Sequence, residues 1–178
     1  MNIHTNTQVK NEEILLEHVL PFWQEYPVDE FVFVDDGSTD NTVEVIQDFL
    51  GDEATIISRN AESHHEGKCR STMLEHSRSS SADVVISIDA DELLSYSFLM
   101  NFDWVMQQSL QHHLYIYQYN VVGGSLNKIR QDPMYVHNYR DFIFPMENTG
   151  RFDESKYEFH DPRTPEINLP SIHTDHCG

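Results

Sequence analysis

Phe31-Val32-Phe33-Val34-Asp35-Asp36-Gly37-Ser38-Thr39-Asp40-Asn41-Thr42 is an apolar run that ends in two adjacent acids and a glycine. Residues 31–34 have the length and the β-branched and aromatic content of a buried strand. Gly37 permits a sharp turn out of that strand, and Ser38, Thr39, Asp40 or Asn41 is placed to cap a helix that starts near Thr42. Turn and cap account for residues 37–41. They leave Asp35 and Asp36 unexplained, because adjacent carboxylates at a strand end repel one another unless something uses them. A calcium loop is excluded: the D-x-[DN]-x-[DN]-G spacing fails, and no bidentate Glu falls at the required distance.

A second stretch repeats the design. Val84-Val85-Ile86-Ser87-Ile88 runs into Asp89-Ala90-Asp91-Glu92. Alone, that acidic segment reads equally well as an exposed cap for the following helix. Two strand-end acidic motifs in one chain favour a metal instead. Carboxylates at the C-terminal ends of parallel strands line the crevice where open α/β sheets bind ligands. Two of them one residue apart suit a hard divalent cation that also takes phosphate oxygens.

The flanking sequence supplies the alternation such a sheet needs. Strand-like segments fall at 3–7, 30–34, 54–58, 83–88 and 114–122. Helix-like segments fall at 11–23, 42–50, 68–77 and 98–110. In the first helix Ile14, Leu15, Val19 and Phe22 share a face, and Pro21 kinks or ends it. In the second, Val43, Ile46, Phe49 and Leu50 share a face, and Gly51 is a fitting stop. The expected fold is α/β, with a mainly parallel central sheet flanked by helices. After Gly123-Gly124 turn formers dominate, so a loop-rich C-terminal extension lying across the open edge of the sheet is expected. Residues 1–178 read as a single domain, with 1–122 as the nucleotide-binding part and 123–178 as the acceptor and closing segment.

Composition narrows the function. With 39% hydrophobic and 11% aromatic residues the chain is not disordered. Thirty acidic against 11 basic residues give a formal charge of −19, which disfavours nucleic acid as a partner. A nucleotide is anionic too, so its binding would require a metal and a few local cations to reverse the field in the cleft. Cys69 and Cys177 make no disulfide framework. No apolar run approaches bilayer length, so a cytoplasmic protein, with room for peripheral docking at a membrane, is expected.

The order strand–DDGSTDNT–helix, strand, Arg-bearing helix, strand–DADE resembles the inverting family 2 glycosyltransferases of the GT-A (Rossmann-like) fold. Residues 8–16, QVKNEEILL, are similar to the opening of one branch of that family. Gly67-Lys68-Cys69-Arg70-Ser71 resembles the branch's helix carrying Arg followed by Asn, with Ser71 as a departure. The last third matches loosely, through Arg140, Tyr157-Glu158-Phe159-His160 and His173.

The resemblance implies transfer of a sugar from a nucleotide-sugar donor, a UDP-sugar by preference, to a glycan, lipid-linked or small-molecule acceptor hydroxyl. It implies Mn²⁺ or Mg²⁺ as cofactor. Thr5, just after the first strand, would lie against the nucleoside, and Asp36 would accept a hydrogen bond from the base. Arg70 would reach the nucleotide. Asp89 would sit near ribose or metal, and Asp91 would ligate the ion, with His173 as a late further ligand. Glu158 is the expected general base, ahead of Asp153 and Glu154; His64 and His65 border the donor cleft. A zinc site built from His173, Asp175, His176 and Cys177 is disfavoured by their crowding in sequence. The rivals are a catalytically reduced binding protein of the same fold and a sugar-phosphate nucleotidylyltransferase. The latter is disfavoured because residues 4–13 contain no glycine.

Overall fold

The structure, a computed structural model, describes residues 1–59, 65–118, 121–122, 125–129, 138–147, 149–150 and 171–174. Elements alternate from the start: β1 (Ile3–Val9), α1 (Glu13–Trp23), β2 (Glu30–Asp35), α2 (Thr42–Leu50), β3 (Ala54–Ser58), α3 (Glu66–Ser79) and β4 (Val84–Ser87). Two short helices follow, α4 (Tyr96–Met100) and α5 (Phe102–Ser109). Then come β5 (His113–Gln118), β6 (Val121–Val122), β7 (Ser125–Ile129), β8 (Asn138–Pro145) and β9 (Ser171–Thr174).

Among the described residues, one sheet takes the order β3-β2-β1-β4-β8-β5-β9, and β6 pairs with β7 separately. The first four of these strands are parallel; β8 runs antiparallel to both β4 and β5, and β9 parallel to β5. The first strand, expected to end at Thr7, continues to Val9 and lies between β2 and β4. The extension after Gly123-Gly124 contributes β8 to the interior of the sheet, so it does more than lie across an edge.

The strands bury both faces, as parallel strands under helices do. On β2, Phe31 and Phe33 point to the layer of α1 and α2, while Val32 and Val34 meet Cys69 and Met73 of α3. Trp23, at the end of α1, stacks on Phe31 and Phe33 with ring centroids 6.3 and 6.1 Å away. On β4, Val84 and Ile86 join the first layer and Val85 packs with Leu74 of α3.

The face of α1 differs from expectation. Leu16, Val19, Leu20 and Trp23 are buried, whereas Ile14 and Phe22 are 76% and 51% exposed. Three apolar residues in a row, 14–16, fit two helical phases, and burial of Trp23 against β2 selects the other one. Pro21 lies inside the helix, which ends two residues later. The helix expected over 98–110 is two helices, broken at Asn101. Gly51 stops α2 with φ +52°, a left-handed conformation that glycine adopts without a side-chain clash.

Candidate active site

The loops after β1 and β2 are tied together through residues 35–42. Asp40 Oδ1 accepts from the backbone N–H of Thr42 at 3.1 Å, and its Oδ2 from that of Glu13 at 3.2 Å. One carboxylate thus serves the N-terminal N–H groups of both α1 and α2. The bonds from Thr42 and Glu13 hold its pKa below the usual value, against the opposing effect of burial. Asn11, in a left-handed conformation at φ 56°, donates its N–H to Ser38 Oγ at 2.9 Å and accepts from Thr39 N–H at 2.7 Å. Glu13 receives both the N–H and the side-chain amide of Asn41, at 3.1 and 2.7 Å. Asp35 Oδ1 takes Ser38 N–H at 3.0 Å across the turn at Gly37, whose φ is +84°. Asp35 and residues 38–42 are therefore framework.

Asp36 has a different partner. Its buried Oδ1 lies 3.1 Å from Nη1 of Arg59, the residue just past β3. The same nitrogen contacts the sulfur of Cys69 and lies 3.4 Å from the His65 carbonyl. Burial first, then the charge of Asp36, pushes the Cys69 thiol up to about 11 against the pull of Arg59, so it stays protonated at neutral pH. His65 N-caps α3, its Nδ1 accepting from Lys68 N–H at 3.2 Å.

The second motif forms a turn. Glu92 N–H donates to the Asp89 carbonyl at 3.0 Å, and Glu92 Oε2 accepts from Asp89 N–H at 2.9 Å. Two core residues brace it from below: Trp23 Nε1 donates to the Glu92 carbonyl at 3.1 Å, and Leu94 N–H to the Tyr26 hydroxyl at 2.8 Å. Burial pushes the Tyr26 phenol up to about 12. The acids do not cap the next helix, because Ser95 does, accepting from Phe98 N–H at 3.2 Å. One oxygen each from Asp89, Asp91 and Glu92 lies within 4.8 Å of the others. An all-carboxylate set is hard and suits Mg²⁺ or Mn²⁺ in preference to a thiolate-seeking ion.

A crevice of about 470 Å³ opens between this turn and the end of β1, where Gln8, Val9 and Lys10 face Arg70, Asp89 and Asp91. Arg70 is buried; its Nη1 donates to Ser87 Oγ at 3.1 Å, and its Nη2 stands 3.7 Å from Asp89. Glu66 takes two of its N–H groups, as described below. Burial, and then the charges of Asp91 and Asp40, push Glu12 above the usual carboxylate range.

The structure thus brings Arg70, Asp89 and Asp91 together in one crevice, with Asp36 at the neighbouring strand end. Thr5 is placed differently. It is the third residue of β1, fully buried, and the longer strand hands its expected place at the sheet edge to Gln8, Val9 and Lys10. His173, on β9, pairs in register with Tyr115 of β5 and lies three strands from β4. Glu158, Asp153, Glu154, His64, Asp175, His176 and Cys177 lie outside the described residues. Sequence reading missed Arg59, Glu66, Glu12 and Lys10. The i, i+4 spacing of Glu66 and Arg70 was the available signal for one of them.

The sequence profile described as Glycosyl transferase family 2 matches residues 9–161. No curated protein sequence matches the chain. Among solved structures, S. aureus TarS superposes with TM-score 0.65 at 18% identity, over 87% of this chain and 31% of that one. S. aureus TarS 1-349 in complex with UDP gives 0.68 at 16%, over 98% and 60%. A 4-diphosphocytidyl-2C-methyl-D-erythritol synthase gives 0.53 at 14%, over 82% and 75%. At these identities the likeness is one of fold. The chain spans 31% to 60% of the length of the TarS structures it matches.

Proposed function

The chain belongs to glycosyl transferase family 2, and from that membership we propose that it transfers a sugar from a nucleotide-sugar donor to an acceptor hydroxyl, with inversion and with a divalent cation. The observation that carries the proposal is the crevice in which Asp89 and Asp91 stand beside Arg70 at the ends of β1 and β4. Two structures among the neighbours are S. aureus TarS complexes with UDP-GlcNAc and with UDP, which supports a uridine nucleotide as the first donor to test.

Asp89 and Asp91 would hold Mn²⁺ or Mg²⁺, with His173 as a further ligand from β9. When bound, the ion supplies Lewis-acid stabilisation of the departing diphosphate. Asp36 would accept a hydrogen bond from the base, its carboxylate oriented by Arg59. Glu158 would take the proton of the acceptor hydroxyl as that oxygen attacks the anomeric carbon from the face opposite the leaving group. Residues 1–122 would serve the donor, and residues 123–178 the acceptor and the closing of the site.

Isothermal calorimetry with UDP tests this. Affinity should rise at least about tenfold when Mn²⁺ replaces EDTA, and Asp91→Asn should remove that gain with the fold intact. Equal affinity in EDTA and Mn²⁺ would take the metal out of the reading. Absence of UDP binding in both would take out the uridine donor. A panel of UDP-sugars, scored by UDP release with and without acceptors, then identifies the sugar.

A further inference from the structure

The arginine in the crevice is not available to a ligand as a bare cation. Arg70 Nε and Nη2 both donate to a single oxygen, Glu66 Oε1, at 2.9 and 2.7 Å, one helical turn earlier on α3. Nη1 is taken by Ser87 at 3.1 Å, and Nη2 leans towards Asp89 at 3.7 Å. The pair is largely out of water, with side-chain exposures of 7% for Arg70 and 17% for Glu66. Its charges therefore cancel at short range instead of being screened. Around them the crevice walls carry Lys10 against Glu12, Asp89 and Asp91. A dianionic or trianionic phosphate group entering that space meets a net negative wall.

We infer that Glu66 makes donor binding depend on the cation, by neutralising Arg70, the one buried arginine among the described residues, which could otherwise attract the diphosphate unaided. The inference rests on the proposed metal-assisted binding of a nucleoside diphosphate. Glu66 lines the same crevice but is not part of the Asp89, Asp91 and Glu92 cluster, so it acts through Arg70 and is a positioning residue. With Glu66 in place, Arg70 holds a fixed orientation facing Asp89 but offers little net charge, and the missing positive charge must arrive as the divalent ion. Without Glu66 the guanidinium keeps its tie to Ser87 and its approach to Asp89, and its freed N–H groups can turn to phosphate oxygens.

The test is a double-mutant cycle on UDP affinity, measured by calorimetry in EDTA and in saturating Mn²⁺. Glu66→Gln keeps the length of the side chain and a hydrogen-bond acceptor while removing the charge. It should tighten UDP binding in EDTA about tenfold and leave binding in Mn²⁺ within about twofold, so the ratio of the two falls about tenfold. In an Arg70→Ala background the same change should move the ratio less than about twofold. Mn²⁺ affinity without nucleotide should be unchanged, because Glu66 is not a ligand. Glu66→Ser serves as a second uncharged variant if Glu66→Gln melts more than a few degrees early. An unchanged ratio in Glu66→Gln, or an equal change with Arg70 removed, overturns the inference. Loss of Mn²⁺ dependence already in the parent protein overturns the underlying reading instead.

Discussion

The indole of Trp23, last residue of α1, donates to the carbonyl of Glu92, so a side chain buried against β2 sets the height of the acidic turn that follows β4. A core residue and a candidate metal-binding turn are thereby one mechanical unit. Trp23→Phe should cost about 2 kcal/mol, the combined effect of lost packing volume and a buried carbonyl left without its donor. It should also weaken Mn²⁺ binding several-fold, although Trp23 is no ligand. Urea denaturation and a Mn²⁺ titration check the two effects. A stability loss with Mn²⁺ affinity untouched would show that the turn keeps its shape unaided.

Asp40 is predicted to matter to stability and not to ligand binding. Asp40→Ala strips a hydrogen-bond acceptor from the first turns of both α1 and α2, and should cost about 1–2 kcal/mol. UDP affinity in Mn²⁺ should stay within about threefold of the parent. Asp91→Ala should give the reverse, a normal melting curve and lost metal binding, since Asp91 is exposed.

Asp36 combines the two behaviours. Asp36→Asn leaves the Arg59 guanidinium, itself only 16% exposed, beside the protonated Cys69 thiol without a counter-charge. A loss of about 3 kcal/mol is expected. Asp36→Asn with Arg59→Met should recover much of that stability, while UDP affinity stays low if Asp36 contacts the base. Recovery of affinity along with stability would assign Asp36 a purely structural role.

Acid should unfold the protein from the end of the sheet remote from the crevice. His4 is buried on β1, with Nε2 3.3 Å from Glu30 Oε2; the other oxygen of Glu30 meets Thr55 and, at 2.7 Å, Nε2 of His76. Burial lowers the His4 pKa below its ordinary 6.5, His76 lowers it further, and the carboxylates of Glu30 and Asp29 oppose the shift. Glu30 lies below its ordinary 4.5, because hydrogen bonds from Thr55 and His76 outweigh the effect of burial. At both groups the folded state binds fewer protons than the unfolded one. Stability is therefore full above about pH 6.5 and falls as the pH drops, first in the His4 window and then, below about 4.5, in that of Glu30. Urea midpoints should decline between pH 7 and 5.5, and His4→Gln should flatten that part of the curve. A midpoint constant over this range would rule out His4 as the titrating group.

What could be read before folding follows from how local the information was. The strand before Asp35, the helix over Thr42–Leu50 and its stop at Gly51 each carry their signal within about ten residues, and each appears where expected. Ile14 and Leu16 could not be told apart by periodicity, since only Trp23 meeting Phe31 and Phe33 chooses the phase of α1. The first strand was expected to stop at Thr7, whereas pairing with β2 carries β1 on to Val9 and leaves Thr5 in mid-strand. The acids of the crevice were legible as motifs. Their partners were not: Arg59 meets Asp36 across 23 residues, and Trp23 meets Glu92 across 69.

β1 is hydrogen-bonded to β2 through Val9 and Asp35 and to β4 through Asn6 and Ser87, so exactly one strand separates the two acidic strand ends. Neighbouring strands stand about 4.8 Å apart, which puts those ends about 10 Å from each other. The sheet is in that sense a ruler. A base at one mark and a diphosphate at the other are the span of a single nucleotide, while pyrophosphate alone or a bare nucleoside can touch only one mark at a time. On the proposed reading, selection by length would come from backbone pairing, and substitutions within the loops would alter which base or ion is held without changing the size of ligand that fits.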